Sequence, residues 1–291
     1  MSAETIGGKL LGGKNDMKGL SPCRGLTNYQ LKLIALVAMT IDHIAVFFWT
    51  AIPGGLFDVL RAIGRIAAPI FLYFVVEGVR HTHSRKAFFL RLYVAGAILT
   101  GVNRLLEATV AQDTYSGFGN TFPLFMYTVL YIVCLERIRF IKANGSKEGL
   151  WAPVLGMCIP FASAGVQLVC SGHFMSGILG TLLRMAVPSV SEIEYSFLFV
   201  LLGVAWYFVN DKRYNALMLA GLSALSLLVH SLLGTAPVFW QVFTGGQWLM
   251  VLAAPLLLLY NGERGRSDKL FFYAYYPCHQ YLLFAISALV M

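Results

Sequence analysis

Charge is what this sequence has least of. Only 12% of its 291 residues are Asp, Glu, Lys or Arg, about half the share of an ordinary soluble domain. With 22 basic and 14 acidic residues and a 58% hydrophobic composition, the chain is neither a soluble enzyme nor a disordered polymer. Cysteine is scarce too. The five are Cys23, Cys134, Cys158, Cys170 and Cys278. An odd number without CxxC spacing gives no disulfide scaffold and no metal site. Residues 1–28 lack the compact apolar core of a secretory signal and read as a mobile cytoplasmic tail. No Gly-rich phosphate loop occurs. No internal repeat is visible, which weakens the usual transporter signature.

What is present is a series of apolar runs of bilayer-crossing length. They predict an all-α, polytopic helical membrane protein with about nine transmembrane helices (eight to ten). The spans are 30–50, 61–80, 87–107, 121–138, 150–171, 194–210, 214–233, 247–261 and 270–291, the sixth and eighth being short. They form one membrane domain, 29–291. Phe174 to Val187 is apolar but broken by Gly177, Gly180 and Arg184, and reads as a re-entrant or interfacial helix rather than a span. With the N-terminus inside, 17 of the 22 basic residues fall on inner segments. These are Lys9, Lys14, Lys18, Arg24; Arg80, Arg85, Lys86, Arg91; Arg137, Arg139, Lys142, Lys147; Lys212, Arg213; and Arg264, Arg266, Lys269. The loop 234–246 has no charge. This is the positive-inside pattern. It predicts a multi-pass protein of the cell (inner or plasma) membrane, N-terminus cytoplasmic, Met291 outside. The +8 net charge is therefore topological, and no nucleic-acid partner is expected. The sequon Asn144-Gly145-Ser146 falls on the cytoplasmic side and is set aside.

The remaining ionisable groups lie within spans, where they are costly and by default functional. Arg104 and Arg184, near outer ends, fit snorkelling. Lys32 and His43 are 11 residues apart, so they share one helix face about 16 Å apart along the axis. Asp42 points about 100° away from His43 and is expected to pair with an arginine on another helix. Arg61 and Arg65 are four apart in the second span, with Gly64, Ala67 and Ala68 allowing close helix contact. Glu77 sits before Arg80 and His81, and an intrahelical pair with Arg80 explains it equally well. In the last span Tyr273, Tyr275 and Tyr276 precede Pro277 and His279. The tyrosines also fit an aromatic belt, and the histidine a structural role. Asn103 and Asn120 flank an outer loop and are candidates to line the same cavity.

Several ordered motifs together resemble the TraX family, integral-membrane proteins associated with acetylation of conjugative pilin. They are the run Leu31–Ile44 ending in Met39-Thr40-Ile41-Asp42-His43, the stretch Gly64-Arg65 to Pro69-Ile70-Phe71, and Glu77-Gly78 to Thr82 with Arg85-Lys86 and Arg91-Leu92. Asn120 with Phe122 and Leu124 matches more loosely; Asn261-Gly262 and Phe272-Tyr273 to Tyr276-Pro277-Cys278-His279 close the series. The likeness is dense in the first three spans and the last, and thin over 150–245. Lys32-x10-His43 also resembles the basic-x10-His pattern of larger membrane acyltransferases that modify surface polysaccharides. The resemblance implies an acyltransferase using acetyl-CoA as co-substrate, with no metal. The acceptor it implies is a pilin-like peptide N-terminus; a glycan or small molecule is equally open.

Acyl transfer from a thioester needs a general base and oxyanion stabilisation. The expected catalytic set is His43 as base, with Asp42, Arg65 and His279; Arg65, or His279 as a neutral donor, would stabilise the oxyanion. The expected substrate and acyl-CoA set is Lys32, Arg61, Glu77, Arg80, Arg91, Asn120, Tyr273 and Tyr276, with Arg85 and Lys86 as further cations for phosphate. The alternatives are a proton-coupled transporter using the same buried groups, and a non-enzymatic membrane component of a conjugation or export assembly.

Overall fold

A computed structural model describes residues 25–109, 118–145, 149–170, 177–233, 246–266 and 268–290. The expected tail up to residue 24, Ser146 of the sequon and most of the uncharged 234–246 loop lie outside the described residues. The described residues are helical apart from connections and one isolated bridge, Leu26 with Tyr260. The helices are α1 Asn28–Phe47, α2 Gly54–Gly64, α3 Ala67–His81, α4 Arg85–Thr109, α5 Phe122–Asn144 and α6 Trp151–Val169. They continue with α7 Ile178–Ala186, α8 Phe197–Val209, α9 Lys212–Leu233, α10 Ala253–Leu258 and α11 Lys269–Val290. Among the described residues, five segments are long and apolar enough to cross a membrane: Asn28–Phe47, Gly54–His81, Arg85–Thr109, Trp151–Val169 and Lys212–Leu232.

Helix α3 is the hub. It packs on α1, α5, α8 and α10, and Ile70, Leu72, Val76 and Val79 on it are wholly buried. A helix apolar on all sides belongs inside a bundle. The outer helices present Leu and Val to the surroundings, as a bilayer-facing surface requires; Leu168, Val169, Ile178, Leu232 and Leu289 are exposed. Helix α1 begins with a capping box. Thr27 Oγ1 accepts from the Gln30 N–H at 3.3 Å, and Gln30 Oε1 accepts from the Thr27 N–H at 2.9 Å, which satisfies orphan donors at the start. The same end is strapped to the segment before α11 through Leu26 N–H to Leu259 O and Asn28 N–H to Glu263 O.

Three expected spans take a different local form. The second, expected as one helix over 61–80, is divided. Pro69 has no N–H to give the Arg65 carbonyl, and the chain tightens there, Arg65 N–H bonding Ala62 O and Ile66 N–H bonding Ile63 O. The sixth starts at Phe197 instead of 194, because Tyr195 and Ser196 have φ of 64° and 74° and Ser196 caps Leu198 N–H. The eighth runs as a 3₁₀ turn, Gln247–Leu252, before α10. The 174–187 segment contains α7, nine residues or about 13 Å long, too short to cross a ~30 Å hydrocarbon core. It stops against the middle of α4, where Tyr93 Oη donates to Ala186 O and Met185 lies on Gly101.

Candidate functional site

Along α1, Lys32, Leu36, Met39 and His43 follow at intervals of four, three and four, which puts them on one face. All four line a cavity of about 570 Å³. Ala67 and Ala68 on α3 leave its far wall open. One end is rich in basic side chains, with Lys32, Arg91, Arg264 and Arg266 beside the acids Glu77 and Asp268; Arg266 pairs with Asp268 at 2.7 Å. Lys32 Nζ lies 5.3 Å from the Phe74 ring centroid and 5.7 Å from that of Phe272. The middle is apolar, formed by Leu36, Met39, Phe71, Val75 and Phe125. The other end is polar again, with His43, Glu194 and Tyr276. Beyond His43, one turn further along α1, the Phe47 ring sits 6.4 Å from the imidazole and packs with Phe118 and Phe284 at 6.2 and 6.5 Å.

At this inner end two histidines meet. His43 Nδ1 is 2.6 Å from His279 Nε2, and the rings are nearly parallel, 4° apart with centroids at 4.8 Å. The other nitrogen of His279 lies 2.8 Å from the Tyr275 carbonyl oxygen. A carbonyl only accepts, so His279 Nδ1 carries a proton. In the neutral pair His279 Nε2 is then the acceptor, His43 Nδ1 the donor, and His43 Nε2 is left with its lone pair. The assignment follows from the hydrogen-bond network. Tyr275 stacks on His279 at 5.1 Å, and its hydroxyl sits 2.8 Å from Thr40 Oγ1, whose own proton goes to Leu36 O. These contacts fix α11 against α1 beside the imidazoles.

Behind this pair lies a buried ion cluster. Asp42 accepts from Arg61 Nη1 at 2.6 Å and from Arg65 Nη2 at 2.8 Å. Arg65 also donates through Nε to Arg61 O at 3.1 Å and through Nη1 to Gln247. Gly64 permits the arrangement, since a Cβ there would overlap the Asp42 side chain. A two-sided carboxylate with both oxygens charge-paired is the form in which burial is tolerated.

The expected site residues therefore fall into three places. His43, Lys32, Arg91, Glu77, Tyr273 and Tyr276 line the cavity. Asp42, Arg61, Arg65 and His279 stand behind its wall and do not line it. Arg80 and Asn120 are committed elsewhere. Arg80 pairs with Glu77 and donates to the carbonyls of Trp206 and Tyr207. Arg85 is held by Glu136 and Tyr207. The Asn120 amide spans α4, donating to Gly96 O and Thr100 Oγ1 at 3.0 Å. Asn103 likewise bonds Tyr281, so neither asparagine faces the cavity. The oxyanion role expected of Arg65 or His279 meets the same difficulty, because the donors of both point at other partners. Arg184, expected to snorkel, pairs with Glu192. Sequence reasoning missed Glu194, Gln247, and Arg264 and Arg266 as cavity cations. Glu194 precedes an apolar run and reads as a solvated span end; only the positive-φ turn after it brings the carboxylate inward.

In the comparisons with known proteins, the model of the TraX protein family matches residues 27–287. A probable fimbrial assembly protein FimC, serogroup H1, of Dichelobacter nodosus is 25% identical over 261 residues, covering 88% of this chain and 93% of that protein. The uncharacterized protein RP591 of Rickettsia prowazekii (strain Madrid E) is 46% identical over 188 residues, 58% of this chain and 71% of its own. No solved structure matches. A match across nearly the whole membrane domain, on a helical body with membrane-length apolar helices, places the chain: it belongs to the TraX family.

Proposed function

We propose that this protein is a membrane acetyltransferase, which takes an acetyl group from acetyl-CoA and gives it to an acceptor at the His43 end of the cavity. The observation that carries this reading is the bare Nε2 of His43, held by its partner histidine at the far end of a cavity whose mouth is rich in basic side chains. An acyl-CoA has the matching polarity. Its phosphates suit Lys32, Arg91, Arg264 and Arg266, its uncharged arm suits the apolar middle, and its thioester then reaches His43. The distribution of basic residues supports a mouth on the cytoplasmic side, where the donor is made, and a C-terminus outside.

In this reading His43 Nε2 takes the proton from the acceptor's N–H or O–H as the new bond to the acyl carbon forms. The C–S bond breaks, and the departing thiolate receives that proton. Tyr276 is the better oxyanion donor. Its oxygen accepts from Thr121 N–H at 3.2 Å, so its own proton remains to be given. A pilin-like peptide, a glycan and a small molecule all remain acceptors of this chemistry. The fimbrial assembly name of the Dichelobacter relative supports the first, and with it a place in pilus assembly. The test is His43→Ala in proteoliposomes supplied with labelled acetyl-CoA. Loss of a general base lowers transfer about 10²–10⁴-fold. Unchanged incorporation by the folded variant removes His43 from the mechanism.

A further inference from the structure

The irregular segment between α7 and α8, residues 187–196, sits among helices rather than at their ends. It is pinned to three helices: Ser163 Oγ donates to Val187 O, Tyr127 Oη to Pro188 O, and Ser189 Oγ to Gln167 Oε1, while Arg184 pairs with Glu192. Non-helical backbone is tolerated within a membrane bundle only where protein or a cavity satisfies it. Two consecutive non-glycine residues at positive φ are strain of the sort found at ligand sites. The segment brings two residues to the cavity, Tyr195 and Glu194 with its carboxyl. Glu194 Oε1 abuts Gly119, where a Cβ would overlap it. Its Oε2 is shielded from solvent and has no hydrogen-bond partner among the described residues. The nearby guanidiniums of Arg61 and Arg65 are bonded to Asp42 instead. A shielded carboxylate oxygen without a donor is costly, and this one lies at the reacting end. Tyr276 Oη would stand 3.5 Å from the same Gly119 Cβ, and the Tyr276 ring is 6.0 Å from that of His279.

We propose that Glu194 binds the acceptor: its carboxyl accepts a hydrogen bond from the N–H or O–H group about to be acylated and holds that group's heavy atom toward the acyl carbon, at the His43 end of the cavity. Glu194 exchanges no proton in this role. The proposal rests on the acyl-transfer reading for the step that follows, while the binding it describes stands by itself. The probes are a short apolar peptide with a free N-terminus, and its N-formylated counterpart carrying a serine hydroxyl. First, each is titrated without acetyl-CoA against the purified full chain and against Glu194→Gln and Glu194→Asp, following the thermal midpoint. Wild type is expected to be stabilised by at least one probe, which also tells amine from hydroxyl. Glu194→Gln, nearly the same shape, is expected to bind about three- to tenfold weaker, the size of a hydrogen bond. Glu194→Asp is expected to recover part of the affinity. Next, transfer from acetyl-CoA is measured. The acceptor KM is expected to rise with the binding loss while the acetyl-CoA KM stays within about twofold. Gly119→Ala, which pushes the carboxylate aside, is expected to repeat the Glu194→Gln phenotype. Equal probe binding by wild type and folded Glu194→Gln overturns the proposal, as does failure of wild type to bind either probe. Binding that depends on Glu194 without acetyl transfer by wild type overturns the acyltransferase reading and leaves the acceptor site in place.

Discussion

At the scale of single residues, the two histidines do different work. His43 faces the cavity; His279 faces His43. Its two nitrogens are bonded to Tyr275 O and His43 Nδ1, so in the acyltransferase reading it is a positioning residue that sets which nitrogen of His43 is bare. Removing it leaves His43 able to swap tautomers and turn. His279→Ala is expected to lower kcat for acetyl transfer about 10–100-fold, by analogy with the loss of groups that orient a histidine, with little change in the acetyl-CoA KM. His279→Gln, whose amide oxygen can accept from His43 Nδ1, is expected to restore part of that loss. Steady-state kinetics on the three proteins check both statements, and an equal rise in acetyl-CoA KM would sink the positioning role.

At the scale of elements, the α2–α3 break governs how α1 is addressed. Pro69 interrupts the helix at Arg65 and Ile66, and Asp42 is reached by Arg61, one turn before that break, and by Arg65 at it. Gly64 is the point of closest approach. Gly64→Ala is expected to force the Asp42 carboxylate out and break its arginine pairs, a cost of about 3–5 kcal/mol for a buried charge left unpaired. Gly55→Ala in the same helix is the control, since a Cβ there meets nothing within 4 Å. Thermal unfolding in detergent should separate the two variants clearly; a Gly64→Ala protein as stable as Gly55→Ala would remove the packing argument.

Much of this level was legible beforehand. Most of the expected spans fall on observed helices, and five of the described segments are long and apolar enough to cross a membrane, because a bilayer-length apolar run has few other fates. The shared face of Lys32 and His43 and the pairing of Asp42 with an arginine follow from helix period and the cost of burial. The α2–α3 break was hidden, because Pro69 acts on a carbonyl four residues earlier. Gln247 was hidden because its bond to Arg65 joins positions 182 apart, a distance that periodicity does not read. Glu194 was hidden because an acid before an apolar run looks solvated.

At the scale of the whole molecule, the cavity has a basic end, an apolar length and a polar end, and the bundle is assembled around it. The wall beyond His43 is aromatic: Phe47 on α1, Phe118 before α5, and Phe284 on α11, with Tyr281 5.8 Å from Phe118. Phe47 is only 3% exposed, so this ring is packed against its neighbours behind the imidazole. If acyl-CoA binds as proposed, with its phosphates at the basic end and this wall beyond the other, the donor's length is measured between two stops. Acetyl fits the remainder; each added methylene has to displace a ring. Phe47→Ala removes about three to five kcal/mol of packing in the usual range, and opens room at that stop. The variant is expected to accept butyryl- or hexanoyl-CoA that wild type refuses, in competition assays against acetyl-CoA. In the acyltransferase reading the aromatic wall is a ruler, and the acyl group accepted is chosen by where the ruler ends.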